Sequence, residues 1–85
     1  MKVDKMILIC GKNCMPCRML ENWMKEHNIE VETIFGEEHI DLCRKYNVRQ
    51  TPTLVLIEYS TTDSGYEAHL TYSGFEDIVK YFENR

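Results

Sequence analysis

Two stretches of the chain are apolar without a break, Met6-Ile7-Leu8-Ile9-Cys10 and Thr53-Leu54-Val55-Leu56-Ile57. Alternate residues of a strand point to opposite faces, so runs of this kind suit strands covered on both sides. Two other stretches alternate: Tyr66 to Tyr72, with Glu67, His69 and Thr71 as the polar members, and more weakly Ile29-Glu30-Val31-Glu32-Thr33. These read as edge strands with one wet face.

Helical spacing fills the intervals. Cys17, Leu20, Trp23 and Met24 form one stripe, predicting a helix from about Met15 to His27 with Asn28 as a left-handed stop. Glu37 to Tyr46 opens acidic and closes with Arg44 and Lys45, matching the helix dipole at both ends. A third helix is expected from the capping-box spacing of Ser73 and Glu76 and the stripe Phe75, Ile78, Val79 and Phe82.

The predicted order is β-α-β-α-β-β-α, with a polar turn around Ser60 to Gly65 between the last two strands. Right-handed crossovers turn this into an α/β fold: a four-stranded mixed sheet with the two apolar strands in the middle and helices on both faces. At 85 residues, without repeat, linker or low-complexity segment, residues 1–85 are expected to form a single domain.

Composition removes several function classes. The net charge of −4 argues against a nucleic-acid partner, which requires a basic stripe. No apolar run approaches the length of a membrane span, and the N-terminal MKVDKMILIC lacks the features of a signal peptide, so a cytoplasmic location is expected. Four cysteines in such a chain favour catalysis or metal binding over a structural disulfide framework. Charge is uneven: residues 1 to 25 hold five cations against two carboxylates, and the remainder five against twelve. A weak positive field around the first cysteines would suit a thiolate, although any single lysine there also fits a solvated face.

The chemistry concentrates in CGKNCMPC, residues 10 to 17. Cys14 and Cys17 alone make a CxxC redox pair. Cys14 falls where the first strand gives way to the first helix, with Asn13 as the expected cap, so its sulfur meets the positive end of the helix dipole and free backbone N–H groups. It is the candidate nucleophile. Cys17 lies one turn further in as the candidate resolving thiol, and Pro16 fits a first turn that does not need its missing N–H.

Cys10, Cys14 and Cys17 taken together give CxxxCxxC, a spacing able to hold zinc or an iron–sulfur cluster, with Cys43 or a histidine as fourth ligand. Tetrahedral thiolate sites usually come from paired knuckles, and the second pair is missing. The cluster-binding radical enzymes that share this spacing need a partial barrel that 85 residues do not provide. Metal binding is therefore the alternative rather than the leading reading. Cys10 and Cys43 are each expected to be small buried hydrophobes, Trp23 a core residue, and His27, His39 and His69 surface residues.

Nearly the whole chain resembles the thioredoxin-fold family of small dithiol redoxins. The resemblance is carried by ILICGKNCMPC, KYNVRQTPTLVL and YSGFEDIVKYF, in that order. It implies a cis Thr51–Pro52 bond beside the active site and a substrate groove formed by Met15, Pro16, Thr51, Pro52, Ser73 and Gly74. CMPC and KYNVRQTPTLVL look like thioredoxin. The start directly at the redox strand, the RQTP segment and the SGF segment look like glutaredoxin-like redoxins that donate electrons to ribonucleotide reductase. That enzyme becomes the leading expected partner of a monomeric protein-disulfide reductase without a bound cofactor.

The chain also departs from the family. Leu8 stands where thioredoxins bury an acidic residue, Thr33 falls where the adjacent strand carries a lysine, and Asn13 replaces the tryptophan that commonly precedes the first cysteine. Glutathione-using glutaredoxins show a Gly-Gly pair followed by polar residues. This chain has only Gly74, then Phe75, Glu76 and Asp77. Recycling by NADPH through a thioredoxin reductase is expected in preference to a glutathione-linked glutaredoxin cycle.

Overall fold

The structure is a computed structural model that describes residues 2–59 and 67–85. The strands are β1 (Lys5–Cys10), β2 (Glu32–Phe35), β3 (Thr53–Tyr59) and β4 (Glu67–Ser73), and the helices α1 (Met15–Glu26), α2 (Ile40–Lys45) and α3 (Phe75–Glu83). They form one mixed sheet in the order β2-β1-β3-β4, with β1 parallel to β2, and β3 antiparallel to both β1 and β4. This is the architecture read from the hydrophobic pattern. The polar turn expected around Ser60 to Gly65, and Tyr66 ahead of β4, lie outside the described residues.

The register explains the apolar runs. Leu8 and Cys10 of β1 and Leu54 and Leu56 of β3 face Cys17, Leu20 and Met24 of α1 and Ile78 and Phe82 of α3. Ile7, Ile9, Val55 and Ile57 point to the other face, against Tyr46, with Leu42, Cys43 and Val48 packed around them. Each central strand therefore supplies half of two cores. Full burial of each such side chain contributes about 1.5–3 kcal/mol.

Three local expectations are corrected. The first edge strand runs Glu32–Phe35 and not Ile29 to Thr33, because Asn28 takes a left-handed φ of 56° and the pairing with β1 starts only at Ile7 opposite Glu32. Ile29 and Val31 do alternate inward, but they pack beneath α1 without a ladder. The second helix is split: Gly36–Glu38 form a 3-10 turn, His39 leaves helical geometry at φ −139° and ψ 55°, and α2 proper begins at Ile40. The capping box at Ser73 does not form. Ser73 is the last residue of β4, its hydroxyl is hydrogen-bonded to Thr53 Oγ1 at 3.1 Å, and Gly74 is the N-cap of α3 without a side-chain bond.

Gly74 sits at φ 91° and ψ 154°, in the region that favours glycine, and lets the chain turn from β4 directly into α3. Its N–H donates to the carbonyl of Pro52 at 2.9 Å, tying this turn to the start of β3.

Candidate active site

The C-terminal end of β1 delivers Gly11 to Asn13 to the N-terminus of α1. Cys14 itself is the N-cap, with extended backbone and its sulfur accepting from the Cys17 N–H at 3.2 Å. Asn13, expected in that role, is not the cap. Sulfur replaces the usual capping oxygen, at a place where the first turn offers unpaired donors. Pro16 lies in the first turn as expected.

Cys14 and Cys17 are joined as a disulfide, with Cα atoms 5.2 Å apart. Their exposure differs: Cys14 is half-buried, whereas Cys17 is 2% exposed among Leu20 and Leu54. The Cys14 sulfur belongs to the more accessible residue of the two.

Thr51 approaches from across the site. Its hydroxyl donates to Cys14 Sγ at 3.4 Å, and its carbonyl oxygen lies 3.6 Å from the same sulfur. The Thr51–Pro52 peptide bond is cis, and Pro52 is buried. Thr53 holds this segment, donating its hydroxyl to the Gln50 carbonyl at 2.6 Å. A Cβ added at Gly11 would come within 3.1 Å of Thr51 Oγ1 and 3.4 Å of Cys14 Cβ, so a side chain there would crowd both.

The split second helix has a use here. Glu37 accepts the Lys12 backbone N–H at 3.0 Å, and that bond holds its carboxyl below the usual glutamate range. Glu38 pairs with Lys12 Nζ at 3.0 Å. The acidic opening of residues 37 and 38 thus braces the loop before Cys14. It also narrows the picture of a positive field: Lys2, Lys5 and Lys12 each face a carboxylate within 4.0 Å, whereas Arg18 and Lys25 have no such partner among the described residues. The groups that donate directly to the Cys14 sulfur are the Cys17 N–H and the Thr51 hydroxyl.

Pro16, Thr51, Ser73 and Gly74 line one groove of about 500 Å³ beside Cys14. Met15, 65% exposed, and the buried Pro52 are not in its lining, although the Pro52 carbonyl accepts the N–H of Gly74, which is. Phe75 is half-buried against the core while its side chain reaches the groove wall. Sequence reading missed Met19 and Gln50 as lining residues. The signal for Met19 was present: it follows Met15 by four positions, on one helix face, and both are exposed.

Cys10 stays out of the site. It is fully buried, and burial, aided by the charge of Glu21, pushes its thiol up to about 11. Cys43 is a free, half-buried thiol 3.8 Å from the Gly36 carbonyl oxygen. Among the described residues, no group of three or more His, Cys, Asp or Glu is arranged to hold a metal ion. His27 and His69 are exposed and His39 half-buried, each on a different element. Thr33 pairs directly with Leu8, so two of the three positions where the sequence departs from the thioredoxin pattern are neighbours across the β1–β2 ladder.

Sheet order, helix placement and a cysteine pair at the head of α1 define the class: a thiol–disulfide oxidoreductase of the thioredoxin fold. The chain is 26% identical over 65 residues to the SPbeta prophage-derived thioredoxin-like protein YosR of Bacillus subtilis strain 168, covering 76% of each sequence. A Plasmodium falciparum thioredoxin superposes with a TM-score of 0.67 at 21% identity, over 92% of this chain and 67% of that one. The thioredoxin NaTrxh of Nicotiana alata gives 0.60 at 20% identity, over 96% and 72%. No protein-family model matches the chain. Among the described residues, no helix is long and apolar enough to cross a membrane.

Proposed function

We propose that this chain is a cytoplasmic protein-disulfide reductase acting as a single 1–85 domain, with Cys14 as nucleophile and Cys17 as resolving thiol. The observation that carries the reading is the asymmetry of the pair: a half-exposed sulfur at the cap of α1, bonded to a sulfur buried one turn further in. In the reduced protein the Cys14 thiolate attacks one sulfur of a substrate disulfide, forming a mixed disulfide and expelling the other sulfur as a thiolate. Cys17 then loses its proton and attacks Cys14 Sγ, releasing the second substrate thiolate. Both substrate thiolates take up protons, so a dithiol and a disulfide become a disulfide and two thiols.

The donor that restores the dithiol is NADPH acting through a thioredoxin reductase. A flavoprotein needs shape and backbone contacts, which exposed Met15, Pro16 and Met19 beside the pair supply. Glutathione is anionic, and the groove presents Glu76 and Asp77 to it. The resemblance of RQTP and SGF to redoxins that serve ribonucleotide reductase makes that enzyme the leading substrate, with Pro16, Thr51, Ser73 and Gly74 of the groove, and Met15 and Pro52 at its margin, receiving it. NADPH oxidation followed side by side, with thioredoxin reductase or with glutathione and glutathione reductase, tests the donor. Faster turnover through glutathione reverses that choice.

A further inference from the structure

We propose that the groove beside Cys14 selects disulfides in cationic peptide segments, with Glu76 and Asp77 as the residues that read the charge. The proposal rests on the reductase reading above and names its substrate class. A substrate sulfur that reaches Cys14 brings its chain over Thr51 and Pro16, which begin the groove. From there the groove is walled by Met19 and Phe75, two apolar side chains suited to a neighbouring apolar residue. It ends at the first turn of α3, on Glu76 and Asp77, the two charged residues that line it.

Two other carboxylates near the pair are committed elsewhere. Glu37 is taken by the Lys12 backbone and Glu38 by the Lys12 ammonium. Glu76 and Asp77 are exposed, and among the described residues neither lies within ion-pair distance of a cation. A trough that begins at Thr51, whose hydroxyl touches the reactive sulfur, carries apolar Met19 and Phe75 and two exposed carboxylates outside ion-pair distance of a cation, and so complements an extended segment bearing an apolar residue and a lysine or arginine close to its cysteine. Such a segment gains both burial and charge pairing, whereas an acidic one meets repulsion.

The test uses the reduced protein and three otherwise identical peptide disulfides whose cysteine is flanked on each side by two Lys, two Gln or two Glu. Bis(2-hydroxyethyl) disulfide is the uncharged reference. Second-order rates are read at low salt and at high salt. A ratio of about tenfold between the Lys and Glu peptides is expected at low salt, falling to about twofold in Glu76→Gln/Asp77→Asn and at high salt. Glu30→Gln/Glu83→Gln removes the same net charge away from the groove and should keep the wild-type ratio. Equal peptide rates in a protein that reduces the uncharged disulfide overturn the selectivity and leave the reductase standing. An undiminished ratio in Glu76→Gln/Asp77→Asn assigns the preference to net charge and also overturns the proposal. No reduction of any disulfide removes the reductase reading and this inference with it.

Discussion

The hydroxyl of Thr51 points at the sulfur of Cys14 from 3.4 Å, across 37 positions of sequence. Together with the Cys17 N–H at 3.2 Å it gives that sulfur two donors on different elements. Hydrogen bonds to a charged group contribute roughly 1.5–3 kcal/mol, so the hydroxyl favours the thiolate over the thiol. Thr51→Val keeps the shape and removes the donor. The midpoint of Cys14 alkylation against pH should move upward, and the rate at pH 6 should fall by about three- to tenfold. An unchanged profile would show that the hydroxyl does not act on the sulfur.

Exposure ranks the four thiols of the reduced protein. Cys14 should be alkylated first, Cys43 slowly, and Cys17 and Cys10 only after unfolding, with Cys10 further protected by a thiol pushed up to about 11. Cys17→Ser should accumulate mixed disulfides through Cys14, and Cys14→Ser should abolish reactivity with substrate. Peptide mapping by mass spectrometry reads both results, and first labelling of Cys17 would reverse the roles.

At the far side of the sheet, Glu67 joins α2 to the edge strand. It accepts from Tyr46 Oη at 3.0 Å and pairs with Lys45 Nζ at 2.9 Å, and the Lys45 bond leads in holding its carboxyl below the usual glutamate value. A depressed carboxylate contributes stability that is present above its unfolded pKa and lost as pH falls through the folded one. That loss should begin near pH 4.5 and deepen below it. Glu67→Gln should lower stability at pH 7 by about 0.5–1 kcal/mol and flatten part of this acid limb. Thermal melts from pH 7 to pH 3 check both, and parallel acid limbs in the two proteins would refute the assignment.

Much of this is legible in the sequence. Met6 to Cys10 and Thr53 to Ile57 could be placed as central strands because their neighbours on both faces are apolar, and CMPC could be placed at a helix head because Pro16 tolerates only the first turn. What stayed hidden depends on partners far away in sequence. Ser73 has the spacing of a cap, but Thr53 takes its hydroxyl. Glu37 has the look of a helix start, but the Lys12 backbone takes its carboxylate and the α-helix waits until Ile40. Spacing along one segment does not report such competition, nor could it bring Thr51 to Cys14.

The most direct test of the account is reduction of insulin by dithiothreitol, followed by turbidity, with wild type, Cys14→Ser and Cys17→Ser in parallel. Wild type should precipitate insulin well ahead of dithiothreitol alone, and both variants should fall to that background, because turnover needs the half-exposed sulfur and the buried one that releases it. A wild-type rate no faster than dithiothreitol alone, or an undiminished rate in Cys14→Ser, would contradict it.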